Sequence, residues 1–302
     1  MKPKLIAVVG PTSSGKSALG VFLAQKLNGE VISTDSRQVY KGLNIGTGKV
    51  TKKEMAGVPH HLLDVVSPTR QFSVDDFVKH AEKVISGLIY QATPKIPIVV
   101  GGTGLYIDAL LGRISYPNVP PDKKLRERLE RLSTKKLFAQ LKKLDPRRAR
   151  TVEPHNKRRL IRAIEIARTI GHSPVHRATL CKYDALWLGL NPPPKRSQKN
   201  IHIRLFARIR AGMIAEARRL HARGLPYKRM EELGLEYRYL ARLLQNKITN
   251  KEFLEQLERE INRYAKRQVR WFKSNKDIHW IKTHKGKGSM EALCLAKEFL
   301  SR

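Results

Sequence analysis

Gly10-Pro11-Thr12-Ser13-Ser14-Gly15-Lys16-Ser17 constrains the fold of this chain more than any other stretch, because it matches in full the G-x-x-x-x-G-K-[ST] phosphate-binding loop. Such a loop works only between a strand and a helix, and both flanks are present. Leu5 to Val9 is an apolar run of strand length, and Lys16 to Leu27 carries Leu19, Phe22, Leu23 and Leu27 at helical spacing. Gly10 and Gly15 let the backbone bend so that successive N–H groups face one anion. The helix dipole and Lys16 add positive charge there, and the Ser17 hydroxyl suits a phosphate-bound Mg2+. A chance glycine-rich turn would not arrive with both flanks. The loop implies an α/β fold, a mostly parallel sheet flanked by helices, without saying which phosphate compound it holds.

The charge balance points to a partner. The 302 residues carry 60 Lys and Arg against 26 Asp and Glu, a formal net charge of +34. A merely solvated basic surface accounts poorly for that imbalance, whereas a polyanion, above all nucleic acid, accounts for it directly. A hydrophobic fraction of 41% supports one large domain or a core with an inserted subdomain. Cys181 and Cys294 lie far apart with no C-x-x-C spacing, which argues against a zinc site or disulfide framework and fits a reducing compartment. No apolar stretch approaches the roughly 20 residues of a membrane span. A cytoplasmic protein with no membrane attachment is expected.

Glu30 to Thr34 reads as a second strand, which the chain leaves through Thr34-Asp35-Ser36-Arg37-Gln38. In open α/β sheets ligands gather at the carboxyl ends of strands, so Asp35 falls beside the loop as a general base, a partner of Mg2+ or a turn residue. Gly42 to Gly48 is a glycine-punctuated loop. In Pro59 to Asp64, the pair His60 and His61 lacks a third ligand at metal spacing, so a structural role is preferred. Ser73 with Asp76 makes a capping box for a helix whose Val74, Phe77, Val78, Ala81, Val84, Ile85 and Leu88 keep the helical period. Ile96 to Val100 is a third strand, ending at Gly101-Gly102-Thr103-Gly104-Leu105-Tyr106. Two glycines there permit close approach of a ligand, and Thr103 presents its hydroxyl at the same sheet edge.

Together these stretches resemble the tRNA dimethylallyltransferases, also called tRNA isopentenyltransferases. The resemblance rests on Gly10 to Ser17, Asp35-Ser36-Arg37-Gln38-Val39-Tyr40, Ile45-Gly46-Thr47, Pro59 to Asp64, Gly101 to Tyr106 and the late Tyr264-Ala265-Lys266-Arg267-Gln268, and it spans nearly the whole chain. It implies a P-loop core in two parts, residues 1–116 and 185–302, with a small all-helical insertion at 117–184 that clasps the anticodon stem-loop of tRNA. Pro117 to Pro121 leads out of the sheet. From Asp122 to about Gly171 the chain is helical and basic, with Leu125, Leu129 and Leu132 on one helix, Leu160, Ile161, Ile164 and Ala167 on another, and Gly171 as a C-terminal cap. Ten Lys or Arg face three acids between Lys142 and Arg168. The resemblance implies tRNA contacts at Arg126 and at Arg158, Arg159, Leu160, Ile161 and Arg162; Val152 to Lys157 departs from the family pattern.

Ala185 to Leu190 and Ile278 to Ile281 read as strands returning to the sheet. Residues 195–230 hold eleven Lys or Arg and one acid, Glu216, and read as a helix with Ile201, Leu205, Ile209, Met213 and Leu220 inward and its charges toward phosphate. A last helix, from about Thr249 to Lys273, has Phe253, Leu257, Ile261, Tyr264 and Val269 as apolar positions. The resemblance places its Lys266, Arg267 and Gln268 on the tRNA side.

Chemically, the resemblance implies transfer of a dimethylallyl group from dimethylallyl diphosphate to the exocyclic N6 amine of the adenosine adjoining the anticodon, with release of diphosphate, by a monomer. Asp35 is the carboxylate placed to take the proton from that weakly nucleophilic amine, and Thr103 would orient it. Gly10, Pro11, Thr12, Ser13, Ser14, Gly15, Lys16 and Ser17 would hold the diphosphate, Ser17 with Mg2+. Asp35, Ser36, Arg37, Gln38 and Thr103 would also meet the tRNA. Family members commonly carry Arg-Ile where this chain has Asn200-Ile201, so either Lys199 or Arg204 reaches the diphosphate or the donor is held more weakly. Three readings compete. A small-molecule or nucleotide kinase suits a P-loop with a nearby Asp but not the basic helices. An adenylate isopentenyltransferase would share the core motifs without needing the charge. A non-enzymatic RNA-binding protein explains the charge and leaves the loop, Asp35 and Thr103 without purpose.

Overall fold

The computed structural model describes residues 2–114, 117, 119–172, 181–282 and 287–302. The chain divides into two compact units, Met1–Leu111 with Lys182–Arg302, and Gly112–Cys181. The first unit opens with β1 (Lys4–Val9), α1 (Lys16–Lys26), β2 (Gly29–Ser33), α2 (Lys52–Met55), β3 (His60–His61), α3 (Val74–Tyr90), β4 (Ile96–Gly101) and α4 (Gly104–Leu110). The second unit is α5 (Lys123–Glu130), α6 (Thr134–Leu144), α7 (Pro146–Ala149) and α8 (Lys157–Ile170). The chain then returns through β5 (Asp184–Leu190), α9 (Pro194–Arg210), α10 (Met213–Ala222), α11 (Tyr227–Leu233), α12 (Leu235–Leu244), α13 (Asn250–Lys273), β6 (Ile278–Ile281) and α14 (Lys287–Ser301). No described helix is long and apolar enough to cross a membrane.

The six strands lie in the order β3-β2-β4-β1-β5-β6, and every neighbouring pair is parallel. A parallel sheet is buried on both faces, which is why β1, β4 and β5 are unbroken apolar runs rather than alternating ones. On one face, Leu19 and Leu23 of α1 and Leu293 and Ala296 of α14 join Ile6, Val8, Ile98 and Leu188 in a single cluster. α3 and α4 pack on β4 without entering that cluster, and so cover the opposite face. The Ser73–Asp76 capping box that starts α3 is formed in both directions. Because all strands run one way, the turns after β1, β2 and β4 emerge at one edge, with Val9 beside Gly101 and Ser33 beside Val100.

A second apolar cluster builds a helical layer from α9 to α13 around Tyr237, Phe253 and Leu257, and it takes in Val39, Tyr40 and Leu43 from the segment after β2. Residues 195–230 are three helices rather than the single one expected. α9 stops at Ala211, and Gly212, at φ 96, turns the chain into α10. That left-handed conformation is open to glycine at little cost and breaks a periodicity that continues on both sides. α13 begins at a Thr249–Glu252 capping box. Its fully buried positions are Phe253, Leu257, Ile261, Ala265, Gln268 and Phe272, with Tyr264 and Val269 half-buried.

Within the second unit, Leu125, Leu129, Leu137, Leu141, Leu160, Ile161 and Ile164 form the core. Leu160 and Ile161 are 0% and 4% exposed, so these two side chains pack inside instead of meeting RNA as expected. Glu165 is buried among them. Its carboxylate accepts Arg126 Nε–H at 2.9 Å, Arg126 Nη2–H at 2.7 Å, the Asp122 N–H at 2.7 Å and Arg162 Nη1–H. Burial works to raise the Glu165 pKa, and these donors outweigh it and lower it. Arg126 and Arg162, assigned to tRNA on sequence grounds, are therefore engaged with an internal carboxylate. Arg158 and Arg159 are exposed, Arg159 paired with Glu153 at 3.3 Å.

Candidate active site

β1 hands the chain to the phosphate loop at Gly10, whose φ is 155 and where a Cβ would lie 2.5 Å from the Leu190 carbonyl oxygen. Ser13 at φ 60 and Gly15 at φ 93 are both left-handed. Residues in that conformation turn successive N–H groups to one side, forming a concavity for an anion. Lys16 opens α1, and its ammonium donates to the Pro11 carbonyl at 3.1 Å. Desolvation first, and then the Arg204 guanidinium, pull the Lys16 pKa from 10.5 to about 8, with Asp35 acting the other way. A lysine lowered by a neighbouring cation is one that a bound anion would restore. Ser17, next in α1, is exposed, and its hydroxyl has no partner among the described residues.

At the end of β2, Asp35 builds its own turn: Oδ1 accepts the N–H groups of Arg37 at 2.8 Å and Gln38 at 3.3 Å. This is the hydrogen-bonding habit that makes Asp a turn residue, and it occupies one oxygen only. Oδ2 has no hydrogen-bond partner among the described residues and keeps its acceptor capacity. Thr103, the N-cap residue of α4, accepts the Ser36 N–H on Oγ1 at 3.2 Å. That bond ties the turn after β4 to the turn after β2.

Helix α13 supplies the third wall. Gln268 is 6% exposed; its Nε2–H donates to the Gly102 carbonyl at 2.9 Å, and its Oε1 accepts the Thr12 N–H at 2.8 Å. The amide thus faces the phosphate loop rather than standing with Lys266 and Arg267, which are exposed. The reason is helical phase, since 261, 265, 268 and 272 fall on the inward stripe. One turn earlier, the Tyr264 hydroxyl is raised to about 12, by desolvation and then by the Asp35 charge.

The loop of residues 44–48 closes the site and is held at both its N–H and C=O groups. Buried Glu216 accepts the N–H groups of Asn44, Ile45 and Gly46 at 3.1, 2.8 and 2.9 Å, and the Tyr237 hydroxyl at 2.7 Å. Arg208 donates to Gly46 O at 2.9 Å and to Glu236 at 2.9 Å, while Arg204 donates to Gly48 O at 3.0 Å. Gln38 Nε2–H also reaches Gly48 O, at 3.3 Å. The lone acid of the basic 195–230 segment is therefore an internal anchor, and Arg208 grips backbone and Glu236 instead of pointing at phosphate, while Arg204 grips backbone and still stands near Lys16. Sequence did hold a sign of this, because Glu216 lies on the Met213–Ala217–Leu220 stripe. Asn200 Nδ2–H donates to Ser13 O at 3.3 Å, so the first half of α9, which begins at Pro194, does meet the phosphate loop, while Lys199 is exposed.

These walls enclose a cavity of about 320 Å3 lined by Thr12, Lys16, Ser17, Asp35, Arg204 and Tyr264, among others. Of the residues sequence reasoning assigned, Thr12, Lys16 and Ser17 of the loop come together here with Asp35, Ser36, Arg37, Gln38, Arg267 and Gln268, while Thr103 and Lys266 do not line the cavity. Arg204, one of the two cations expected at the diphosphate, and Tyr264, the first residue of the Tyr264–Gln268 motif, line it too, and Glu236, Arg238 and Tyr239 join them unannounced, because α12 carries no motif that names them. His60 also lines the cavity, its ring nitrogen bonded to Val58 O at 2.9 Å, and His61 bonds Glu30 at 2.7 Å.

The profile of the IPP transferase family matches residues 38–275. Among curated proteins, the tRNA dimethylallyltransferase of Halalkalibacterium halodurans is 37% identical over 291 residues, 93% of this chain and 91% of that protein. The enzyme of the same name from Anoxybacillus flavithermus is 38% identical over 286 residues, again 93% and 91%. The crystal structure of the full-length tRNA isopentenylpyrophosphate transferase from Bacillus halodurans superposes with a TM-score of 0.75 at 35% identity, covering 99% of this chain and 97% of that one. A eukaryotic dimethylallyltransferase acting on tRNA gives a TM-score of 0.85 at 27% identity, covering 99% and 80%. With its phosphate loop, its parallel sheet and these relatives along nearly its whole length, the chain belongs to the IPP transferase family, among the tRNA dimethylallyltransferases.

Proposed function

We propose that the protein moves a dimethylallyl group from dimethylallyl diphosphate to the N6 amine of the adenosine adjoining a tRNA anticodon. The observation that carries this reading is one cavity in which a phosphate loop with an anion-deficient Lys16 faces a carboxylate, Asp35, that keeps a free oxygen. The amine lone pair attacks the allylic carbon attached to the diphosphate as the C–O bond breaks. Diphosphate leaves with the bonding pair, and the surplus N6 proton passes to Asp35 Oδ2. Fixing Asp35 through Oδ1 orients the second oxygen, and Thr103, whose Oγ1 accepts the Ser36 N–H, would orient the amine.

Charge accumulating on the leaving group is met by the loop N–H groups, by Lys16 and by Arg204, which takes the role of second cation that Asn200 cannot fill. Asn200 instead keeps the loop in shape through Ser13 O. The exposed Ser17 hydroxyl fits a Mg2+ held otherwise by diphosphate oxygens and water, which is how this ion commonly binds; no cluster of three His, Cys, Asp or Glu stands among the described residues to hold it alone. When bound, Mg2+ would neutralise part of the leaving charge. The helical unit, with exposed Arg158, contributes contacts to the anticodon stem-loop, whose target base is cheaper to unstack than one in a duplex.

Incubating the protein and Mg2+ with labelled dimethylallyl diphosphate and either tRNA or AMP tests this reading. Label in tRNA supports it, label in AMP alone makes the chain an adenylate isopentenyltransferase, and no transfer with either removes it.

A further inference from the structure

The face of α13 that leads out of the cavity carries a fixed aromatic ring. Positions 264, 267 and 271 are three and four residues apart and share one side of the helix. Tyr264 and Arg267 line the cavity; Trp271 stands one turn beyond. Its indole is 39% exposed, although a ring of that size is ordinarily covered. It is not loose. Nε1–H donates to Asp108 Oδ2 at 2.7 Å, and the ring lies against the backbone of Gly104, where a Cβ would approach its Cδ1 to 2.2 Å. Gly104 directly follows Thr103, and Leu105, 43% exposed, extends the apolar surface.

The surroundings are cationic. Lys266, Arg267, Arg270 and Lys273 are exposed and have no carboxylate partner among the described residues, whereas Arg263, one turn earlier, is paired with Glu260. An exposed ring with its only polar atom already bonded, backed by a glycine, on a helix face shared with exposed Arg267 and in a strongly basic helix end, suits a flat apolar group carried on a phosphate chain. A nucleobase is such a group, and stacking on an aromatic side chain is worth about 1–3 kcal/mol per base.

We propose that Trp271 is a stacking platform for one of the two nucleotides flanking the acceptor adenosine, with Arg267, one turn earlier on the same face, toward an adjoining phosphate. This rests on the function proposed above. It adds a base-binding subsite outside the cavity, which holds the extruded neighbour in place while the acceptor enters.

The test uses an anticodon stem-loop RNA and two counterparts, each with an abasic site on one side of the acceptor. Trp271→Ala should raise KM for the intact stem-loop about ten- to a hundredfold, leave KM for dimethylallyl diphosphate within about twofold, and have little effect with the abasic RNA that removes the stacked base. Trp271→Phe, which keeps an aromatic face, should recover most of the loss. Trp187 is buried, so in a Trp280→Phe background Trp271 is the exposed fluorophore, and RNA binding should quench it. Equal loss on intact and abasic RNAs, or binding without quenching, overturns the platform. Because the binding and fluorescence arms need no turnover, they read the platform even if transfer itself fails.

Discussion

The Thr12 N–H donates to Oε1 of Gln268 across 2.8 Å, so a residue of the phosphate loop and one near the end of the longest helix are hydrogen-bonded although 256 positions separate them. The other end of the same amide holds Gly102. One buried side chain thus joins the turns after β1 and β4 to α13. Gln268→Ala strands a buried N–H and a buried C=O, each worth about 1–3 kcal/mol. The expected result is a lower melting temperature and a higher KM for dimethylallyl diphosphate, with KM for tRNA less affected. Gln268→Glu should do no better, because it sets a carboxylate oxygen against Gly102 O.

Asp35→Asn separates the chemical from the structural role of this residue. Asparagine keeps an Oδ1 acceptor for the Arg37 and Gln38 N–H groups, so the turn should survive and tRNA affinity should hold. It cannot take a proton, and kcat should fall by roughly 10^2 to 10^4. A near-normal kcat would confine Asp35 to its turn.

Donor binding should depend on pH through Lys16. In the free protein this ammonium titrates at about 8, and a bound diphosphate favours the protonated form, raising that value. Affinity is then level below pH 8 and falls by up to about tenfold per unit above it, until the bound-state value is passed. Calorimetry of dimethylallyl diphosphate binding from pH 7 to 9.5 reads this directly, with proton uptake on the alkaline side. Lys16→Ala should bind more weakly at every pH and lose the slope.

Glu216→Gln tests the anchor of the 44–48 loop. A carboxylate accepts four donors here, and an amide would turn one end into a donor facing donors. Destabilisation of about 1–3 kcal/mol or more is expected, read as a lower denaturation midpoint. Exposed Lys199→Ala should leave that midpoint unchanged.

In the helical unit, Arg158→Ala and Arg126→Ala should part company. Exposed Arg158 should cost tRNA affinity uniformly and reduce the slope of log affinity against log salt by about one, with no change in stability. Loss of Arg126 uncovers buried Glu165 and should lower the melting temperature first.

Sequence by itself determined the phosphate loop, the strands at Leu5–Val9, Ile96–Val100 and Ile278–Ile281, the capped start of α3, and through them the α/β fold. Each of these is a local property: a glycine at a required φ, an apolar run of strand length, a cap three residues from its carboxylate. Tertiary structure decided where polar side chains on those elements point. Gln268, Arg126 and Arg162 sit within basic motifs and read as RNA contacts, yet helical phase and a buried Glu165 turn them inward. Glu216, which sequence shows only as the lone acid of a basic segment, is a four-donor anchor. Arg204 and Tyr264 enter the cavity only because α9 and α13 pack around Phe253 and Leu257. Charge along a sequence is one-dimensional, and the free energy of burying it is set by which donors lie opposite in space, so composition foretold a polyanionic partner but not which cations are left to meet it.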